Sequence, residues 1–430
     1  MARAVKQALF KFKPFSVKQK KVLTWWLPES PVNDKDGIIA DGSIRSGKTV
    51  SMALSFVIWA MSSFEEQNFA MCGKTIGSFR RNVLAVLKQM LSSRGYKLKD
   101  HRADNYIEIS FKGKTNYFYI FGGKDERSQD LIQGITLAGV LFDEVALMPE
   151  SFVNQATGRC SVDGSKYWFN CNPDGVYHWF KTGWIDTAAE KNILYLHFTM
   201  DDNLSLTEKI KQRYAIRYSG VFYQRYILGL WVVAEGIIYD MFSEAKHIVS
   251  NITSSAAAKY YVSCDYGTQN ATVFLLWVSG SDGKWYCIDE YYYSGREEAA
   301  QKTDNAYADD YEAFIGNRKI EAIIVDPAAA SFIAELKKRG HKVIKARNDV
   351  LDGIRYVGML LNTEKIFFHS RCKNTIKEFS SYIWDSKASD RGEDKPVKQH
   401  DHAMDAVRYF CFTILYKPKA KLNTNIKGGI

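Results

Sequence analysis

Gly42-Ser43-Ile44-Arg45-Ser46-Gly47-Lys48-Thr49 reads Gly-x4-Gly-Lys-Thr, a spacing suited to holding a polyphosphate. The glycines let the loop bend so that successive N–H groups surround the β-phosphate. Lys48 reaches the β/γ oxygens, Ser43 and Ser46 line the loop, and the Thr49 hydroxyl ligates Mg²⁺ at a helix N-terminus. Further on, Leu137-Ala138-Gly139-Val140-Leu141-Phe142-Asp143-Glu144 is an apolar run ending in two acids. Beside a phosphate loop these acids divide two duties: Asp143 holds Mg²⁺ through water, and Glu144 polarises the attacking water as general base. The pair of segments predicts a nucleoside triphosphatase that uses Mg²⁺.

Two weaker signals flank this site. Tyr167-Trp168-Phe169-Asn170-Cys171-Asn172-Pro173 ends an apolar run in amides, where an Asn can sense the γ-phosphate or simply open an Asn-Pro turn. Phe15 and Gln19 can stack on and hydrogen-bond adenine, or merely begin an N-terminal helix. A second constellation is acidic: Asp265, Asp326 and Asp405. Three carboxylates can hold two divalent ions, Mg²⁺ or Mn²⁺, about 4 Å apart for phosphodiester cleavage. Asp265 precedes Tyr266-Gly267 and Asp326 precedes Pro327, so either can instead be a turn residue. Asp401 is read as a helix N-cap, and His402 as a proton-transferring or ligand-orienting group or an exposed helix histidine.

The elements that must position these residues alternate between β-rich and helical runs, so the fold class is α/β. Strands are expected at 37–41, 68–74, 105–111, 117–122, 137–143, 167–170 and 193–199, with helices at 48–61, 76–91 and 206–228. The helical period stops within 229–242, and 250–258 is mostly small and polar. The expected organisation is therefore a domain over 1–235 on a mainly parallel sheet, a linker over 236–257, a second domain over 258–416 and a basic, mobile tail over 417–430. In the second domain, strands at 260–266, 272–278 and 284–293 precede a helix at 297–315. Alternation follows: strand 320–326, helix 331–339, strand 342–345, helix 350–361, strand 365–368, helix 375–384, loop 385–399 and helix 401–415. Three strands followed by α/β alternation is the order of the RNase H-like fold.

Composition narrows the class. The chain has 430 residues, 46% hydrophobic and 25% charged, as an ordinary globular protein of two or three domains does. Seven cysteines without a CxxC pair argue against a zinc centre or a disulfide framework. The net charge of +10, from 58 Lys and Arg against 48 Asp and Glu, suits a polyanionic partner and equally a plain basic surface. Ser51 and Ser55 interrupt the longest apolar run, 50–61, so no membrane span is expected. Residues 1–15 carry Arg3, Lys6, Lys11 and Lys13 without an apolar core, unlike a secretion signal, which places the protein in the cytoplasm.

Jointly the chain resembles large terminase subunits of tailed bacteriophages, of the type also carried by prophages of Gram-positive hosts. The resemblance rests on 42–49, Asp143 and Glu144, the segment 170–173 and the junction 231–242. In the second half it rests on Cys264-Asp265-Tyr266-Gly267, Val325-Asp326-Pro327 and His402-Ala403-Met404-Asp405-Ala406. It implies an N-terminal P-loop ATPase and a C-terminal RNase H-like nuclease. Such a protein packages viral double-stranded DNA into a procapsid and cuts the concatemer, working in the host cytoplasm with a small terminase subunit and the portal protein. It would be a monomer in solution and a ring on the portal. One position departs from the family pattern: Gln133 stands before Gly134 where members often carry a trans-acting Arg. That leaves Arg45 to supply charge in cis or Arg127 in trans, each equally a solvated surface residue. Two rival readings remain: a helicase-like translocase whose second domain only binds DNA, and a structural adaptor switched by nucleotide. Glu144 argues against the adaptor, since a switch needs no general base.

Overall fold

The computed structural model describes residues 14–252, 258–267, 270–294 and 300–417. The tail from 418 on, 253–257 of the expected linker, 297–299 of an expected helix and the basic residues Arg3, Lys6, Lys11 and Lys13 lie outside the described residues. The chain forms two compact units. One comprises residues up to 215 with 221–233 and 389–393; the other comprises 216–220, 234–388 and the residues from 394 on.

The first unit is built on an eight-stranded sheet. In chain order its strands are β1 (Gly37–Gly42), β2 (Asn68–Gly73), β3 (Lys97–His101), β4 (Tyr106–Phe111), β5 (Lys114–Gly122), β6 (Gly139–Asp143), β7 (Lys166–Asn170) and β8 (Ile193–Phe198). Across the sheet they run β3-β4-β5-β2-β6-β7-β1-β8. The six strands from β5 to β8 are parallel, and β3 and β4 form an antiparallel edge. β1 and β6 are buried along their whole length, which is why they read as continuous rather than alternating apolar runs, broken only by Asp41 near the end of β1 and by Asp143 at the end of β6. β3, Lys-Leu-Lys-Asp-His, has a single apolar residue and no strand signature; it is a strand because β4 pairs with it.

The helix Lys48–Ser63, which follows the phosphate loop, is locked to the sheet by aromatic side chains. Phe56 and Trp59 lie 5.3 and 4.7 Å, centroid to centroid, from Trp168 of β7. Each fully buried large side chain contributes roughly 2 kcal/mol or more, so the loop sits on a firmly seated helix. Two expected helices differ. The run 206–228 breaks into Glu208–Ala215 and Gly220–Tyr226, with Gly220 at φ 50°, and 76–91 contains a π-helical turn at Arg80–Leu84. The helix Glu150–Gly158 has no counterpart in the sequence reading.

The second unit holds a seven-stranded sheet: β9 (Ile248–Val249), β10 (Tyr260–Asp265), β11 (Ala271–Ser279), β12 (Trp285–Ser294), β13 (Ile320–Val325), β14 (Val343–Lys345) and β15 (Ile366–His369), in the order β14-β13-β10-β11-β12-β15-β9. β10, β11 and β12 are antiparallel neighbours, while β13 runs parallel to β10 and β14 parallel to β13. This is the RNase H-like order, extended past β12 by β15 and β9. The helix His402–Phe410 lies on this sheet, with Phe410 stacked 4.3 Å from Trp277. Among the described residues no helix is long and apolar enough to cross a membrane.

Candidate functional site

The phosphate loop leaves β1 at Gly42, whose φ is 121°; a Cβ there would stand 1.9 Å from the carbonyl oxygen of Phe198, so only glycine fits. Ser43 N–H donates to that same carbonyl at 2.9 Å, and Ile44 N–H donates to the carbonyl of Tyr226 at 2.9 Å. The ammonium of Lys48 folds back over the loop, donating to the carbonyls of Gly42 and Ser43 at 2.9 and 2.7 Å, to Ser46 Oγ at 3.2 Å and to Asn172 Oδ1 at 3.3 Å. Burial lowers its pKa to about 8, with nearby Asp41, Asp143 and Glu144 acting in the opposite sense.

β7 lies between β1 and β6, and Asn170 pairs in register with Ala40 on one side and Asp143 on the other. At the carboxyl ends of these adjacent strands, the edge where open α/β sheets bind ligands, Asp143 Oδ1 accepts from Thr49 Oγ1 at 3.1 Å and from Asn170 Nδ2 at 2.9 Å. Glu144 adopts left-handed backbone at φ 61°, which turns it out of the strand line, and its N–H donates to Asn170 Oδ1 at 3.4 Å. Burial raises the pKa of both acids, and the Asp143 charge adds to that of Glu144. Such backbone costs about 1–3 kcal/mol and concentrates at functional sites.

The other nominated residues take these places. Gln19 donates to the Ser46 carbonyl at 3.5 Å, but its Oε1 accepts from Ser16 N–H, closing a capping box; Phe15 is packed against the core. Gly47 is left-handed at φ 87°. Arg45 is exposed, its guanidinium 5.3 Å over the Tyr214 ring and its carbonyl held by Asn203 Nδ2 at 2.6 Å. Arg127 and Gln133 are exposed, with the Gln133 amide on Asp130. Asp41 escaped the sequence reading: fully buried at the end of β1, it lies 3.0 Å from His197 Nδ1 and accepts from Trp231 Nε1 at 2.6 Å. A charged residue within an apolar strand was the available signal.

In the second unit a cavity of about 600 Å³ is lined by Asp265, Asp326, Asp401, His402, Asp405 and Tyr409, among others. β10 ends in Asp265, Asp326 follows β13, and Asp405 lies in the first turn of the final helix. Each carboxylate has its own partner. Asp265 Oδ2 lies 2.9 Å from His402 Nδ1, and Asp326 Oδ2 accepts from Tyr409 OH at 2.5 Å. Asp405 Oδ1 accepts from the buried Arg408 at 2.8 Å, and its Oδ2 lies 3.5 Å from Lys398 Nζ. Burial, offset in part by His402 and reinforced by Asp405, holds the Asp265 pKa up at about 6.

Oxygen donors of this kind suit Mg²⁺ and Mn²⁺. The three acids line one cavity, as the sequence expects, and each is held by its own partner. Among the described residues no three His, Cys, Asp or Glu groups are placed to hold a metal ion. Asp401 meets only the positional half of the N-cap reading. It occupies the N-cap position, but its side chain makes no capping bond and lies 3.1 Å from Lys398 Nζ.

Comparison with known proteins places these sites in context. The family described as the terminase large subunit, T4-like-virus type, N-terminal, matches residues 39–246. A structure of the large terminase of a thermophilic bacteriophage is 65% identical, with a TM-score of 0.86, covering 94% of this chain and 100% of that one. The same phage protein in complex with ADP is 64% identical with a TM-score of 0.83, and in complex with ATP-γ-S 63% identical with a TM-score of 0.82, with the same coverage. The terminase large subunit of Escherichia phage T5 is 27% identical over 297 residues, spanning 64% of this chain and 65% of the T5 protein.

Proposed function

This chain belongs to the large terminase family, and from that premise we propose that it is an ATP-driven motor that packages viral double-stranded DNA into a procapsid and an endonuclease that cuts the concatemer. The observation that carries the motor half is the meeting of Lys48, Thr49, Asp143 and Glu144 at the carboxyl ends of β1 and β6, with Asn170 between them. The nucleotides bound by the thermophilic phage protein support ATP as the ligand. Lys48 neutralises the β/γ-phosphate oxygens, Thr49 and Asp143 would hold a magnesium ion, and Glu144 takes the proton of the attacking water. Bound Mg²⁺ would supply the positive charge that the transferring phosphoryl group needs. Gly42, Ser43, Ser46 and Gly47 present the backbone of the loop, and Gln19 braces it from outside.

For the nuclease half, Asp265, Asp326 and Asp405 are the acids that would hold divalent ions, which would supply the positive charge that phosphodiester cleavage needs. The partners are double-stranded DNA, a small terminase subunit and the procapsid portal, and the site of action is the host cell. A second reading, a translocase whose C-terminal unit only binds DNA, is favoured by the separate partner that each acid keeps. Plasmid cleavage with Mn²⁺ or Mg²⁺ decides between them. Under the leading reading, Asp→Asn at 265, 326 or 405 abolishes cutting and leaves ATP turnover intact. If the unaltered protein and all three variants behave alike, the second reading holds.

A further inference from the structure

The first backbone N–H groups of a helix have no partner within it, and an acceptor must come from a cap or from elsewhere. For the helix His402–Phe410 the local candidate, Asp401, makes no side-chain cap. The acceptor comes from a different helix. Glu378, on Lys373–Ser381 and only 4% exposed, points its Oε2 at the N–H groups of Ala403 and Met404, at 2.7 and 3.2 Å. Its Oε1 accepts from Tyr292 OH of β12 at 2.9 Å, so the carboxylate is anchored to the sheet while it holds the helix end. The two N–H groups lie between His402 and Asp405, the residues that this helix brings to the cavity.

We propose that Glu378 is a positioning residue for the cleavage site: by capping the last helix from a neighbouring helix it sets where His402 stands against Asp265 and where Asp405 enters the cavity. The side chain is long enough to span the two helices and presents one oxygen to both N–H groups. The inference rests on the nuclease reading. A displacement near 1 Å at a catalytic constellation is enough to cost about 100-fold in rate.

The test uses the full chain and three substitutions. Glu378→Gln keeps an acceptor for Ala403 and Met404; Glu378→Asp keeps the charge but falls short by one carbon; Glu378→Ala removes both. Hydrogen exchange at 402–410 is expected to quicken about tenfold or more in the Asp and Ala variants and to stay near wild type in the Gln variant, with β10 to β12 unchanged. Plasmid cleavage should follow the same order, with kcat falling about tenfold or more, KM for DNA unchanged and ATP turnover unaffected. Exchange at 402–410 that stays within twofold in the Asp variant would overturn the proposal. So would faster exchange with undiminished cleavage, or cleavage that survives in Asp and fails in Gln, which would make charge rather than reach the requirement. If the Ala variant does not fold, the Asp and Gln pair carries the test. If the wild-type chain cuts no DNA, the nuclease reading fails, and the exchange data still decide whether Glu378 caps the helix.

Discussion

Asn170 holds Asp143: its Nδ2 donates to Asp143 Oδ1 at 2.9 Å, while its Oδ1 accepts from the N–H of Glu144. One amide thus orients both the proposed magnesium-holding acid and the backbone of the proposed general base. Asn170→Ala should lower ATP turnover by about 10–100-fold with ATP affinity within a few-fold of wild type, read by steady-state hydrolysis and nucleotide titration. An unchanged turnover would make the amide ornamental to the chemistry.

Lys48 and Glu144 should separate binding from hydrolysis. Lys48→Ala leaves the β/γ oxygens without their cation and is expected to abolish hydrolysis, whereas Glu144→Gln should bind ATP and turn it over poorly. DNA cleavage should survive both changes. A Lys48→Ala protein that hydrolyses ATP within a few-fold of wild type would mean that the phosphate site is misassigned.

DNA binding should be governed by phosphate contacts, since a motor must track any sequence and the chain carries 58 basic against 48 acidic residues. The affinity measured by fluorescence anisotropy is expected to fall steeply between low and moderate salt and to vary little with sequence. Strong preference for one duplex would contradict this.

Glu378 should leave a signature in stability against pH. Burial raises its pKa from 4.5 to about 7. Between those values the native protein holds a proton that the unfolded chain has released. The contribution is therefore fully present below pH 4.5 and is lost as pH rises through 7, at most ~3 kcal/mol. Calorimetry between about pH 5 and pH 8 should show the second unit losing stability as pH rises, with the slope flattened in Glu378→Gln, whose side chain does not ionise. Parallel wild-type and variant curves would place the titrating group elsewhere.

What could be read from the sequence was local. The loop 42–49 announces itself because its glycines, Lys48 and Thr49 act within a single turn, and Asp143-Glu144 because a buried parallel strand is apolar without interruption. Asp265, Asp326 and Asp405 were found by the strand and helix order that brings them to one cavity. What escaped was set by tertiary context. β3 is a strand only through its neighbour, and the helix predicted over 206–228 breaks where Gly220 turns left-handed. Asp401 has the right identity and position for an N-cap, yet the bond is made by Glu378, and no nearest-neighbour rule anticipates an acceptor from another helix. Asp41 shows the same limit, since its partners His197 and Trp231 are remote in sequence.

The placement of β7 between β1 and β6 also bears on how the protein folds. β1 finds both of its sheet neighbours, β7 and β8, only after the whole stretch carrying β2 to β6 has been synthesised. Until then Ile38, Ile39 and Ala40 sit on a strand with two open edges, an invitation to pair with another chain. Parallel pairings between distant segments close slowly, because the entropy of a long loop is lost before any contact compensates it. Acquisition of nucleotide binding should therefore be a late event in folding, and nascent chains crowded on one message should be most prone to aggregate before β7 emerges.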